Sequence, residues 1–440
     1  MANTLEPGSE RVGNLIDFNP NTPEVQGVLK YSEHGIEITV PWSDWNSPYA
    51  LWFLPNHNVP RDAVDFPFPK RVLFQDNKGS VLLIGCRPGP FSSILNGVGS
   101  GTLFARAAII GVDKDVEFDR PQGLQVDISG LRAWLGKTAW VQEGPAGGSG
   151  VILRTQKVPE ITIGTYDDMQ LSLRFGQKIE YRDRGDRIVL STYARCVSRS
   201  NEGRKWEGHL KLHRAVRDLL ALSQWCDESF AEVYVLHSDA PRSAVSGKKI
   251  GEGWRKVVVP ASLQSTSVKD DLQHLIRFED LGPEGLLSWI RLRDEFARAL
   301  DPVISSLRLR EGTPHTLLAH TGPGLEALGY LLMCRDGVKK ENAARTAFRG
   351  RLKRILQDLG DCLPFDGDAW SESAPVYYNS IKHVNREECA DIDILNTWRE
   401  SILVARAWVA VELGVSKDEL KQRLSIDPQR HPYQKRPWFF

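Results

Sequence analysis

Gly27-Val28-Leu29-Lys30-Tyr31-Ser32-Glu33-His34-Gly35-Ile36-Glu37-Ile38-Thr39-Val40 holds two short alternating runs around a Glu-His-Gly turn. That is the pattern of a β-hairpin with one face buried. Val72-Leu73-Phe74 and Val81-Leu82-Leu83-Ile84-Gly85 flank Asp76-Asn77-Lys78-Gly79, a second hairpin signal. Further strand candidates are Gly101–Ile110, Gly123–Val126, Gly150–Arg154, Met169–Phe175 and Asp186–Ala194. Ile128–Leu135 reads as a short helix ending before Gly136. Many short strands at irregular spacing predict a sandwich or barrel-like β domain over residues 1–200, not a βαβ array.

The period changes near Trp206. His209-Leu210, His213, Val216, Leu219-Leu220 and Leu222-Ser223 keep helical spacing, and a strand follows at Ala231–His237. Asp239–Lys269 is rich in Ser, Gly, Pro and Lys and reads as a surface excursion within a mixed linking region, residues 201–280. Residues 281–440 read as a helical bundle. Leu286, Leu287, Ile290, Phe296 and Leu300 form its first stripe, and Pro302 marks an end or a kink. Thr316–Cys334 carries a Gly-Pro-Gly interruption. Phe348, Leu352, Ile355, Leu356 and Leu359 form a third stripe. The last runs Leu395, Trp398, Ile402, Ala405, Val409 and Leu413, closed by Gly414. The fold class is therefore α+β, with β-rich and helical parts in succession.

The chain has 440 residues, 41% apolar and 25% charged, which suits two or three globular domains rather than disorder. Lys+Arg and Asp+Glu are both 56, so no global field recruits nucleic acid, and RNA binding would need a local patch. Six scattered cysteines without a C-x-x-C pair favour reduced thiols over a disulfide framework or a zinc site. Met1–Pro20 is polar and acidic and has no signal-peptide pattern. No apolar run is long enough for a bilayer; Leu325–Cys334 is the best. The expectation is a soluble, cytoplasmic protein.

Tyr377-Tyr378-Asn379-Ser380-Ile381-Lys382-His383 lies between two helical stretches. An amide and an imidazole four residues apart share one face of a helix, so both can address one bound group. The other reading of this pair is a polar patch on a surface helix.

With the segments around it, this run resembles the Asn-x-x-x-His core of HEPN domains, many of which are metal-independent RNases. Leu325-Glu326-Ala327-Leu328 is similar to the early HEPN helix that carries a Glu. Gln26–Gly35, Val72–Ile84, Gly97–Gly111 and Leu131-Arg132-Ala133-Trp134-Leu135-Gly136 resemble the N-terminal domain of ApeA-type proteins, bacterial proteins associated with anti-phage abortive infection. In those proteins a HEPN domain follows.

The resemblance implies a toxin-like RNase, homodimeric through the C-terminal domain, that needs neither cofactor nor metal. Its substrate would be RNA, with tRNA a candidate, and its trigger a phage-derived or regulatory factor that the sequence does not name. A ribose 2′-hydroxyl would attack its own 3′-phosphate, leaving a 2′,3′-cyclic phosphate and a 5′-hydroxyl. His383 would be the acid/base, since imidazole titrates near neutrality. Asn379 would orient the phosphate. The family motif has Arg immediately before the Asn, and here that position is Tyr378. Arg386 is the first substitute, on the face of His383 if the helix continues, because a guanidinium grips phosphate bidentately. Lys382 is the poorer one, turned about 100° away. Glu326 either supports the site or sits at a helix start after the Gly-Pro-Gly turn. The alternative function is a degenerate HEPN dimer that binds RNA or protein without cutting.

Other features read as structural. His315 and His320 are expected to line or cap a turn. His209 and His213 lack a third metal ligand, and Gly97–Gly101 lacks the Lys-Ser/Thr of a P-loop. The basic run Arg349–Arg354 either supplies phosphate contacts or forms a solvated face. Trp42–Phe53 reads as core or domain interface, and the tail Gln434–Phe440 as a docking segment.

Overall fold

In the first hairpin Ser32 pairs with Gly35 across Glu33 and His34, and Gly35 takes φ +111°, a conformation that favours glycine. The computed structural model describes residues 3–53, 68–94, 97–144, 152–242, 250–260, 273–309 and 311–434. Gly150 and Val151 of the strand candidate Gly150–Arg154, and tail residues 435–440, lie outside them.

The chain opens with β1 (Glu10–Ile16), β2 (Val25–Ser32), β3 (Gly35–Trp42) and the short helix α1 (Pro48–Leu51). The second hairpin, β4 (Arg71–Asp76) and β5 (Gly79–Ile84), is followed by β6 (Arg87–Ser93), β7 (Gly99–Ala105), β8 (Ala107–Ile110), β9 (Gly123–Ile128) and α2 (Leu131–Leu135). A separate ribbon, β10 (Trp140–Glu143) and β11 (Ile152–Thr155), precedes β12 (Ile161–Tyr166), β13 (Met169–Arg182) and β14 (Arg187–Arg199). Helix α3 (Trp206–Gln224) is followed by β15 (Phe230–Leu236) and β16 (Arg255–Val258). The rest is helical: α4 (Phe278–Glu295), α5 (Ala297–Ser306), α6 (Pro314–Arg335), α7 (Lys340–Arg345), α8 (Phe348–Leu359), α9 (Gly367–Lys382), α10 (Asp391–Glu412) and α11 (Lys417–Leu424). The architecture is α+β, and no helix among the described residues is long and apolar enough to cross a membrane.

Among the described residues, fourteen strands form one antiparallel sheet in the order β12-β13-β14-β9-β15-β16-β8-β5-β4-β1-β2-β3-β7-β6. Flat, this order would hold β2 and β16 about 24 Å apart. Instead the Tyr31 hydroxyl of β2 donates to the Val259 carbonyl just after β16, at 2.8 Å. The sheet therefore curls round a core of its own, made by Leu29, Ile38, Phe74, Val81 and Leu103. Trp42, Tyr49, Trp52 and Phe53 belong to it, and Trp42 stacks on Phe53 at 5.5 Å. A Cβ at Gly99 or Gly101 would lie 2.8 Å from Trp42 or 2.6 Å from Phe53. These glycines serve aromatic packing.

Strands β4, β5 and β8 are buried on both faces. Phe74, Val81 and Ala108 point into the curl, while Leu73, Leu82 and Ile109 join the larger core under the helices. Their continuous apolar runs follow from that double burial.

Three sequence readings change. Within Asp239–Lys269, Arg255–Val258 is a strand between β15 and β8, with Val257 and Val258 buried, so this part is sheet and not excursion. Helix α6 runs unbroken through Gly322-Pro323-Gly324. The glycines let neighbours approach closely: a Cβ on Gly324 would lie 2.5 Å from the Ala299 carbonyl oxygen. Pro302 sits inside α5, and the break falls at Phe296, whose φ of −101° and ψ of 21° leave the helical range.

Helix α3 joins the sheet to the helices. His209 and His213 are fully buried and bracket the Ser198 hydroxyl of β14 at 2.7 and 2.9 Å. At its far end, buried Arg406 of α10 donates to the carbonyls of Leu222 (2.7 Å) and Ser223 (3.1 Å), and to Asp427 at 2.8 Å. Removing one member of a buried pair strands the other charge, so Asp427→Asn is expected to cost about 3–5 kcal/mol in urea unfolding.

Burial, and then the neighbouring His209 charge, pushes the His213 pKa down from 6.5 to about 3. Between those values the unfolded chain binds the extra proton, so the contribution of neutral His213 is complete above pH 6.5 and lost as pH falls toward 3. The wild-type Tm should therefore fall more steeply across that window than that of His213→Gln. Parallel curves would remove this histidine from the acid response.

Candidate functional site

Asp366 starts α9 by accepting from the Ala369 amide at 3.0 Å, and the helix buries Trp370, Ser371, Ala374 and Tyr378. The Trp370 indole reaches the Ser401 hydroxyl of α10 at 3.3 Å, which sets the roll of α9. That roll turns Tyr378 inward. Its ring lies against Gly322 of α6, where a Cβ would be 2.4 Å away, and meets Phe348 of α8 edge-on at 5.4 Å.

Tyr378 is one hub of the helical half. The Lys382 ammonium, one turn on, sits 4.8 Å over its ring, a cation–π contact. Burial first, and then the charge of Glu326, raise the Tyr378 phenol above its ordinary pKa. Glu326 is in mid-helix, one turn beyond Gly322, so it serves no helix N-terminus. It accepts from Arg351 of α8 at 2.9 Å, and Arg351 also donates to the Ala343 (3.2 Å) and Ala344 (2.8 Å) carbonyls. The Arg351 Nε is buried with no hydrogen-bond partner among the described residues.

Asn379 is half-buried beside Tyr378. The helix stops at Lys382, and His383 is its C-cap in extended conformation, φ −130° and ψ 106°, tied by its amide to the Asn379 carbonyl at 3.0 Å. Arg386 is consequently not on a continuing helix face. Its amide donates to the His383 carbonyl at 2.9 Å, closing a turn that brings the two residues to within roughly 7 Å at Cα. His383 and Arg386 are exposed, and Val384 between them is fully so.

The structure therefore makes two groups. Tyr378, Lys382 and Glu326 gather round one buried ring; Asn379, His383 and Arg386 lie at the exposed end of α9. The sequence marks Phe348 only as part of an apolar stripe and Arg351 only as part of the basic run Arg349–Arg354, with no sign that either meets Tyr378 or Glu326. That run is not a free cationic face. Arg349 and Lys353 both pair with Glu372 of α9, the latter at 3.1 Å, and Arg354 bridges Asp336 (2.9 Å) and Asp358 (2.6 Å). His315 contacts Asp391, the first residue of α10, at 3.4 Å, and His320 contacts Ser305 at 3.0 Å. No cluster of three or more His, Cys, Asp or Glu able to hold a metal occurs among the described residues.

Gly322→Ala would press a methyl group into the Tyr378 ring. A loss of about 1–3 kcal/mol is expected in chemical denaturation, with a smaller loss when Tyr378→Leu is already present. Equal losses in the two backgrounds would show that the two residues do not interact.

A family model described as ApeA N-terminal domain 1 matches residues 15–285, more than half of the chain. No curated protein and no solved structure matches.

Proposed function

Because this chain belongs to the ApeA-type proteins, which makes it an anti-phage defence protein, we propose that its helical half is a metal-independent HEPN-type endoribonuclease held in check by the N-terminal region. The observation that carries this reading is the turn closed by the Arg386 amide on the His383 carbonyl. It brings the backbones of His383 and Arg386 together at an exposed helix end, one turn from Asn379, so that both side chains start from one short segment.

The chemistry needs three services. His383 takes the proton from the ribose 2′-hydroxyl or returns one to the leaving 5′-oxygen. Arg386 meets the charge that develops on the phosphorus oxygens. A helix C-terminus repels an anion, so a cation is required here, and Lys382 is already engaged on the Tyr378 ring. Asn379 orients the phosphate from the last turn of α9. The substrate would be RNA, tRNA included, and the active form a homodimer built through the helical half, set free by a phage-derived or regulatory signal in the cytoplasm.

A second reading rests on Tyr378. At the position where the HEPN motif has Arg, this residue is only 5% exposed and locks α9 against α6 and α8. A bundle that uses the position for packing suits a dimeric scaffold that binds RNA or protein.

Purified full-length protein incubated with total bacterial RNA and tRNA in EDTA separates the two. Wild type should leave 2′,3′-cyclic phosphate ends. His383→Ala should be inactive, and Arg386→Ala should be slower by about 10²-fold. No cleavage, with lysate from infected cells also supplied, would sink the ribonuclease reading and leave the scaffold.

A further inference from the structure

Away from α9, a cavity of about 430 Å³ opens between α3, α4 and α5. Asp218 of α3 stands at its wall, its side chain only 6% exposed. Three guanidiniums converge on this one carboxylate: Arg217 at 3.0 Å, Arg293 of α4 at 3.1 Å, and Arg308, just after α5, at 3.7 Å. Arg293 also meets exposed Asp301, and Arg308 meets Asp227 at 3.1 Å. The rim adds two exposed ion pairs, Lys211 with Asp294 at 2.6 Å and Arg214 with Glu207 at 2.5 Å. Ala215, Ile290 and Ile304 supply an apolar floor.

Three cations meet at this one buried carboxylate, and Asp301 and Asp227 pair Arg293 and Arg308 on the outer side. Burial lowers the Arg217 pKa, and the charge of Arg308 lowers it further. Asp301 and Asp227 offset part of this charge, and unused N–H donors are what a further anion would meet. Each guanidinium has five N–H donors. Arg217 spends only Nε and Nη2 on Asp218, and Arg293 only Nε and Nη2 on its two carboxylates. Planar forks with donors to spare match phosphate oxygens better than any single ammonium would. The volume exceeds that of one phosphate and falls in the range of small-molecule sites, with the apolar floor available to an organic moiety.

We propose that this cavity is a binding site for the phosphate groups of a phosphorylated small molecule, gripped by Arg217, Arg293 and Arg308. A ligand here touches α3, inside residues 15–285, and α5, beyond them, and so bridges the family-matched part and the helices that follow. The proposal does not rest on the ribonuclease reading.

Calorimetric titration of the full-length protein with ATP, tripolyphosphate and inorganic phosphate tests it. ATP or tripolyphosphate should bind saturably below millimolar concentration. ATP binding more tightly than tripolyphosphate identifies a nucleotide-like ligand, and equal affinities identify the phosphate chain alone. Arg308→Gln, at the accessible rim, should weaken binding by roughly tenfold or more. Asp218→Asn should tighten it in any preparation that melts as wild type, because the competing anion is gone; a purely structural ion cluster would not respond so. Absence of saturable binding by both compounds, or binding indifferent to Arg308→Gln, would overturn the proposal.

Discussion

Arg406 is fully buried, and it joins the two halves of the molecule. Its guanidinium caps the last carbonyls of α3 and pairs with Asp427, so α10, α3 and the segment after α11 close on one charge. Neighbouring bonds depend on the same helix end. The Leu275 amide donates to the Ser223 carbonyl at 2.9 Å, and the Ser223 hydroxyl to the Ile276 carbonyl at 2.8 Å. The Trp134 indole meets that same Ile276 carbonyl at 2.7 Å. A helix C-terminus that would otherwise bury bare carbonyls becomes the junction of sheet, linker and bundle. Since α3 also lies on the sheet through His209, His213 and Ser198, the β-rich and helical parts share one continuous core.

Within the helical half, small residues on α6 place the candidate site. Gly322 admits the Tyr378 ring, Gly324 admits the α5 backbone, and Gly329 lies so near Arg351 that a Cβ would be 2.5 Å from its Cβ. Close approach on three sides makes α6 the axis against which α5, α8 and α9 are set. The position of Asn379 is thereby inherited from the packing of Tyr378. His383 and Arg386 project beyond that packed region because the helix ends at Lys382.

Much of this was legible in the chain. Alternation around Glu33-His34-Gly35, and the runs on either side of Asp76–Gly79, marked strands where strands occur. The stripe from Leu395 to Leu413 with Gly414 beyond it marked α10, and Gly414 has φ +87°. Other elements were hidden for identifiable reasons. Glu10–Ile16 opens on two charged residues and shows no apolar–polar alternation, yet it lies mid-sheet, its Arg11 satisfied by a buried pair with Asp76 at 2.6 Å. Arg255–Val258 is too short to stand out against its Ser- and Gly-rich flanks. Gly322-Pro323-Gly324 has the composition of a turn, and only the helices pressed against it explain why it stays helical.

The sequence by itself determined the α+β division, the main hairpins, the helical stripes and the location of the Asn379–His383 run, because local periodicity and turn chemistry act over a few residues. Tertiary structure alone decided that, among the described residues, fourteen strands make one curled sheet. It also decided that Glu326 faces Arg351, that Lys382 rests on Tyr378, and that Arg386 returns to His383 through a turn. The sheet and the Glu326–Arg351 pair join segments distant in sequence, while the two local contacts follow from the burial of Tyr378 and the end of α9 at Lys382; close packing and the satisfaction of buried charge choose among arrangements that local patterns leave open.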